Sequence, residues 1–173
     1  MARFGILKLP FLILLVSSSL SSAGAVAQEA QVTFYSNGSM LKESLPLGTK
    51  QGAFLGAIFD GEQRIGFCEP KRFITVRVLP GHHIFSTRTN SKSKTVDSQL
   101  ALDIDAGRVY FIRVQEEVKG VLITSFKGRM DQVSCAVAHE DSGKFGPTNP
   151  KYIAPEMRSK ISSESSIPAC ESQ

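Results

Sequence analysis

Residues 73–88 read FITVRVLPGHHIFSTR and carry the clearest structural pattern of the chain. Apolar side chains stand at every second position from Ile74 to Val78, with polar ones between them. This period of two predicts a strand with one buried face. The Pro80-Gly81 pair then predicts a turn, after which a second strand returns.

The same pattern extends outward on both sides of this stretch. We expect further strands, separated by turn residues, at 31–36, 53–59, 64–68, 100–104, 109–115, 121–126 and 132–138. No helical period of 3.6 residues interrupts them. About eight short strands at hairpin spacing predict an all-β fold, an antiparallel β-sandwich, with an open barrel as the alternative.

Turn residues are expected to be structural rather than catalytic. In a Pro-Gly pair the proline presets the first turn dihedral, and the glycine can adopt the positive φ of a type II turn. We expect His83 to face inward beside Phe85 and to bond a backbone carbonyl, while His82 faces water. The residues assigned a structural role are Pro80, Gly81, His83 and Gly107.

The chain divides into three segments by composition. Residues 1–27 combine an early Arg3 and Lys8, a short apolar run and small residues ending in AVA, the layout of a secretory signal peptide. We expect cleavage before Gln28 and no transmembrane segment in the mature chain. Residues 28–140 then form the β-sandwich domain. Residues 141–173, rich in serine and proline, are expected to be a disordered polar tail.

Charge adds little once the signal is removed. The formal net charge of +4 falls to +2, because residues 1–27 contain two cations and no acid. A charge near +2 argues against a nucleic-acid partner. Export predicts a periplasmic or extracellular location and an oxidising environment.

The three cysteines fit that environment. An odd number in an exported chain leaves at least one thiol unpaired or paired between chains. Cys68 and Cys135 lie inside the patterned region, and we favour a disulfide between them; burial of both as small hydrophobic residues is the alternative. Cys170 is then the leftover cysteine.

Three motifs in this order resemble domain-of-unknown-function family 2846. The family's first hairpin has the type D-G-x-x-I-G, and residues 60–66 match it with one extra residue. Its P-G-x-H turn matches Pro80, Gly81 and His83. A final run, of type L-x-L-x-x-x-A-G-x-x-Y-F-x-R-V, matches Leu100, Leu102, Ala106, Gly107, Tyr110, Phe111, Arg113 and Val114.

The resemblance spans about residues 32–138 and implies an exported bacterial envelope domain without catalytic residues. Many members of the family carry a lipid-attachment cysteine near the cleavage site, whereas this chain has none there. The resemblance therefore does not imply a lipid anchor for this chain.

Few residues suggest chemistry. Neighbouring strand residues such as His82 and His83 point to opposite faces, so they make a poor pair of metal ligands, and we expect no metal and no cofactor. Asp103 and Asp105 share a strand face and would suit calcium or paired carboxylates, although a solvated face explains them better. No motif predicts a catalytic residue.

Six basic residues also suggest a patch for anionic polymers, although solvation of a strand edge explains some of them as well. They are Lys71, Arg72, Arg77, Arg88, Lys92 and Lys94.

The sequence therefore predicts an exported, non-enzymatic β-sandwich that binds an envelope protein or polymer, or serves a structural role in the envelope. A carbohydrate- or peptide-binding accessory module is the second hypothesis. A hydrolase that uses a cysteine or the aspartate pair is the third. Clustering of Tyr35, Tyr110 and Phe111 on one exposed surface would favour ligand binding.

Overall fold

The computed structural model describes residues 28–37, 55–88, 92, 94–119 and 125–170. The expected signal peptide at 1–27, the first two residues of the expected strand at 53–59 and most of the expected strand at 121–126 lie outside these residues. The described elements are β1 (Ala30–Tyr35), β2 (Leu55–Asp60), β3 (Gln63–Cys68), β4 (Arg72–Val78), β5 (Gly81–Arg88), β6 (Ser98–Ile104), β7 (Val109–Lys119), β8 (Ser125–Val133), α1 (Cys135–Ser142), β9 (Gly146–Pro147) and two 3-10 helices, Pro150–Tyr152 and Pro155–Lys160.

The prediction of a mostly β fold is confirmed, and the strands form two sheets. The first has the order β8-β7-β1-β4-β9 and the second the order β3-β2-β5-β6. Pairing is antiparallel except that β1 lies parallel to β7 and β4 parallel to β9. The expectation of a purely antiparallel sandwich is therefore wrong for these two pairs. Strand β1 lies between β4 and β7, and it runs antiparallel to β4 and parallel to β7.

The alternating apolar residues of both sheets meet in one inner core. Val32 and Phe34 of β1 and Ile74 of β4 pack there with Ile58 and Phe85 from the second sheet. The rings of Phe34 and Phe85 meet edge to face, with centroids 5.2 Å apart. This is the buried face that the period of two predicts.

The opposite face of the first sheet is buried as well. Tyr35, Phe73 and Phe111 point away from the inner core and form a second cluster with Ala138 and Ile167. Helix α1 and the end of the chain supply those last two residues, so they cover the outer face. A strand buried on both faces has no solvated side, and for this reason even Thr75 is only 2 % exposed.

Helix α1 stands where we expected a strand at 132–138. Strand β8 ends at Val133, and Ser134 then adopts extended backbone angles as the N-cap of the helix. Its hydroxyl accepts a hydrogen bond from the backbone N–H of Val137. A serine in that position satisfies one of the free N–H groups of the first turn, which favours a helix over a continued strand.

The expectation of a disordered tail is wrong for residues 141–170. Residues 143–170, which we call the strap, follow α1 and lie against the edges of strands β4 and β3. Backbone N–H groups of Thr148 and Ser162 donate to carbonyls on β4, and that of Ala154 donates to Ile65 on β3. Hydrogen bonds to exposed strand edges, together with a few buried side chains, order a segment whose composition alone suggests disorder.

One glycine lets the strap approach the sheet. A Cβ atom at Gly66 would lie 2.9 Å from the carbonyl oxygen of Tyr152, closer than carbon and oxygen can approach without displacement. Beyond this crossing, Ile153 and Met157 enter the inner core, and Ile167 enters the outer cluster. The strap therefore contributes to both cores of the protein.

The Pro80-Gly81 turn connects the two sheets and does not close a hairpin within one sheet. Strand β4 belongs to the first sheet and β5 to the second, so the Pro80-Gly81 turn carries the chain across. Gly81 has φ +139° and Gly107 has φ +71°, both in the region that favours glycine. The one predicted hairpin with an Asp-Gly turn, β2 to β3, has the expected antiparallel pairing.

Candidate functional site

The adjacent histidines bind different partners. His83 Nδ1 lies 2.8 Å from a carboxylate oxygen of Asp60, its Nε2 lies 2.9 Å from the carbonyl oxygen of Leu79, and its ring stacks on Phe85. His82 is exposed, and its Nδ1 lies 2.8 Å from Asp103. The structure therefore places the two imidazoles with separate carboxylates, not around a common point.

Asp105, which shares a predicted strand face with Asp103, interacts with an aromatic residue. Its backbone N–H donates to the Tyr110 hydroxyl at 2.9 Å, and that hydroxyl donates to its carboxylate at 3.5 Å. Asp103 and Asp105 are both exposed at the end of β6. The two carboxylates thus have different partners, which fits the interpretation of a solvated strand face.

The aromatic cluster that would favour ligand binding does not form on one exposed surface, and three of the six basic residues have other contacts. Of the three aromatic residues, Tyr35 and Phe111 are buried and only Tyr110 reaches the surface. Arg88 is largely buried and lies over the Phe59 ring, 4.1 Å from its centroid. The basic residues at 72 and 77 instead contact the strap, where Arg77 donates to the carbonyl oxygen of Ser159.

A cleft of about 440 Å³ opens beside Asp103 and Asp105. Its volume falls in the range of small-molecule sites. Polar side chains rim it, and apolar residues of β7 and β8 form part of its wall. The lining residues are Asp103, Asp105, Arg108, Val109, Tyr110, Phe111, Gln132, Val133, Ser134, Cys135 and Cys170.

The disulfide in this cleft corrects the expected pairing. Cys135, the first residue of α1, is bonded to Cys170 at the end of the strap, with Cα atoms 5.7 Å apart. Cys68 is a free, buried thiol. The predicted Cys68–Cys135 disulfide is wrong because Cys68 faces the inner core from β3, whereas Cys135 packs against the outer cluster.

Sequence reasoning missed His139 as a neighbour of this disulfide. A ring nitrogen of His139 and the two sulfur atoms all lie within 4.8 Å of one another. Its Nε2 also lies 2.9 Å from the carbonyl oxygen of Pro168, in the strap. Cys135 and His139 are four residues apart, which places them on the same side of a helix. Because a strand was expected at these positions, the spacing was not interpreted in this way.

Cys68 has the environment of an inert thiol, not of a nucleophile. It is fully buried, and burial, followed by the charge of Glu69, raises the pKa of its thiol to about 12. A catalytic cysteine needs the opposite, because the thiolate is the nucleophile. Cys68 is therefore a poor candidate for the nucleophile of the hydrolase hypothesis. Cys135 is not a free thiol either, because it is bonded to Cys170.

We expect the neutral Cys68 thiol to make stability depend on pH. An unfolded thiol ionises near pH 8.5, so its contribution is complete below that pH and is lost as the pH rises toward about 12. Urea unfolding at pH 7, 9 and 10 measures this loss, and Cys68→Ala should lose less over the same interval. An equal loss of stability with pH in both proteins would contradict the assignment of this pH dependence to Cys68. A thiol reagent at pH 8 should label Cys68 only after denaturation.

A partly buried polar network fixes α1 on the first sheet. The Tyr35 hydroxyl donates to the Asp141 carboxylate at 2.7 Å, and Arg113 donates to the same oxygen at 3.2 Å. Burial and the hydrogen bond to Asp141 raise the pKa of Tyr35 well above its usual value. Residues of β1, β7 and α1 thus share one charge-assisted junction, which suits a structural role.

Asp141→Ala should destabilise the protein by about 1–3 kcal/mol, because it leaves the Tyr35 hydroxyl and the Arg113 cation without their shared acceptor. Chemical denaturation followed by circular dichroism measures this change. Glu140→Ala, at an exposed position of the same helix, is the matched control and should change the midpoint little. Equal effects of the two substitutions would argue that helix propensity, not the network, is responsible.

Comparisons with known proteins found no relative of this chain. No family model matches the chain, and neither the curated proteins nor the solved structures include a match. No helix among the described residues is long and apolar enough to cross a membrane. The candidate site is therefore defined by its geometry alone: a polar cleft with a disulfide in its wall and a histidine beside that disulfide.

Proposed function

We propose that the chain is an exported, non-enzymatic β-sandwich protein that binds an envelope protein or polymer, or has a structural role in the cell envelope. The observation that carries this proposal is the Cys135–Cys170 disulfide, which ties the strap to α1. Disulfides persist in oxidising compartments, so the disulfide and the signal-like residues 1–27 support the same route. The resemblance to family 2846 supports it as well.

Expression of the full chain with its first 27 residues tests the export part of the proposal. Mass spectrometry of the product should find Gln28 or a near neighbour at the N-terminus. Non-reducing peptide mapping should find Cys135 joined to Cys170. An intact Met1 chain in the cytoplasm, with all three cysteines reduced, would overturn the proposal.

The role as a binding protein is tested by capture from envelope extract with the mature domain as bait. A partner retained by the native domain and lost after its thermal denaturation would support the proposal. Retention of equal amounts by both forms would indicate nonspecific adhesion and would count against it.

The cleft favours a carbohydrate- or peptide-binding accessory module as the second candidate. Carboxylates, an arginine and a tyrosine along its rim can hydrogen-bond a polar ligand, and Val109 and Val133 provide apolar contact. Titration with envelope oligosaccharides and short peptides, monitored by NMR, should shift resonances around Tyr110. Arg108→Ala should weaken such binding about tenfold, whereas Lys127→Ala, at an exposed position outside the cleft lining, should not.

A further inference from the structure

Three side chains at the corner between α1 and the strap have the donor atoms of a metal site. Cys135 and His139 are one helical turn apart on α1, so they lie on the same side of the helix. Cys170 reaches them from the end of the strap. The two sulfur atoms and a ring nitrogen of His139 all lie within 4.8 Å of one another.

We propose that reduction of the Cys135–Cys170 disulfide converts this corner into a zinc site with Cys135, His139 and Cys170 as its protein ligands. A dithiol reductant supplies two electrons and two protons, becomes a disulfide itself and leaves two thiols on the protein. Zn²⁺ then binds both sulfurs as thiolates and displaces the two thiol protons to solvent. The disulfide and zinc states exclude each other, because the same two sulfurs form either bond.

The required movement is small. Sulfurs bonded to each other at about 2 Å must separate to about 3.8 Å, the spacing of two thiolates at 2.3 Å from a tetrahedral zinc ion. The Cα atoms of Cys135 and Cys170 are 5.7 Å apart, so rotation of the two side chains supplies most of this change. Hydrogen bonds and buried side chains hold the strap in place independently of the disulfide.

A hydrogen bond to the strap restrains the ring of His139. A carbonyl oxygen only accepts hydrogen bonds, so the Nε2 of His139 carries a proton and donates to Pro168. In the neutral ring this leaves a lone pair on Nδ1. Metal-binding histidines commonly donate their other N–H to a backbone carbonyl, which fixes the tautomer and the ring orientation. The edge-to-face contact with Phe111 restrains the ring further.

Two of the three proposed ligands line the cleft. Cys135 and Cys170 both line the cleft of about 440 Å³, so water or a cleft-bound ligand can reach an ion held between them. Three protein ligands with one open position are the arrangement of zinc ions that exchange ligands, whereas purely structural sites use four protein ligands. Cys68 is not part of the site, because it is buried in the inner core.

Zinc binding to the folded full-length mature chain, before and after reduction with a water-soluble phosphine, tests the proposal. The oxidised protein should bind no zinc, and the reduced protein should bind about one ion per chain in competition with a chromogenic chelator. Cobalt(II) should give the thiolate charge-transfer absorption of a tetrahedral site. The melting temperature of the reduced protein should rise with zinc, because the ion binds the native state.

Substitutions assign the ligands. His139→Ala should weaken zinc binding at least about tenfold, whereas His82→Ala and Cys68→Ala should keep it. His139→Gln, which retains a donor for the Pro168 carbonyl, is the second variant if His139→Ala is unfolded when oxidised. Absence of zinc after reduction, undiminished binding in both His139 variants, or loss of binding in Cys68→Ala would each overturn the proposal.

Discussion

A chain that stops after Ser142 should not fold cooperatively. The truncation removes the strap and with it the buried side chains of Ile153, Met157 and Ile167. Burial of each such side chain contributes about 1.5–3 kcal/mol, and the loss together approaches the whole stability of a typical domain, about 5–15 kcal/mol. The edges of β3 and β4 also lose their backbone partners.

Far-UV circular dichroism during urea unfolding measures the effect, since the chain contains no tryptophan for fluorescence. A chain that stops after Cys170 is the matched control, because it keeps the strap and the disulfide, and it should unfold as the full chain does. An unchanged unfolding midpoint in the chain that stops after Ser142 would restore the interpretation of residues 141–173 as a disordered tail.

The double substitution Cys135→Ser and Cys170→Ser should cost about 2–4 kcal/mol. The disulfide that this variant lacks joins residues 35 apart in sequence. Closing a loop of that size restricts the unfolded chain and so stabilises the folded protein. The remaining strap contacts should keep the variant folded. Denaturation with and without reductant supplies the comparison: the parent protein should become less stable on reduction, whereas the double variant should be indifferent.

The free cysteine provides the control for this prediction. Cys68→Ala keeps both disulfide cysteines, so its unfolding midpoint should still fall on reduction. A Cys68→Ala variant that is insensitive to reductant would show that the disulfide contains Cys68 and would contradict the pairing of Cys135 with Cys170. Serine replaces both disulfide cysteines together because a single substitution would leave a reactive thiol in the cleft.

Alternation along the chain was sufficient to predict most strands. The apolar positions of β1 and β4 form the inner core as expected, and the Asp-Gly turn joins β2 to β3. The period of two reports which side chains share a face. It does not report what covers the other face, so the burial of Thr75 and Tyr35 could not be predicted.

The candidate site was less accessible to sequence reasoning. The cleft joins residues of β6, β7 and α1 to the far end of the strap, and no local motif links Asp103 to Cys170. The disulfide partner of Cys135 depended on where the strap ends. The strand expected at 132–138 gave no reason to place His139 beside Cys135, whereas the helix that begins after Ser134 brings the two side chains together.

The sequence by itself determined the β character of the chain, the positions of its turns and the inward face of its strands, because these depend on the chemistry of neighbouring residues. Only the tertiary structure decided the second covered face of the first sheet, the course of the strap and the pairing of Cys135 with Cys170. The strap is held by backbone hydrogen bonds to strand edges and by a few widely spaced apolar side chains. Such contacts leave no periodic pattern, since they depend on which strand edges the rest of the fold leaves open.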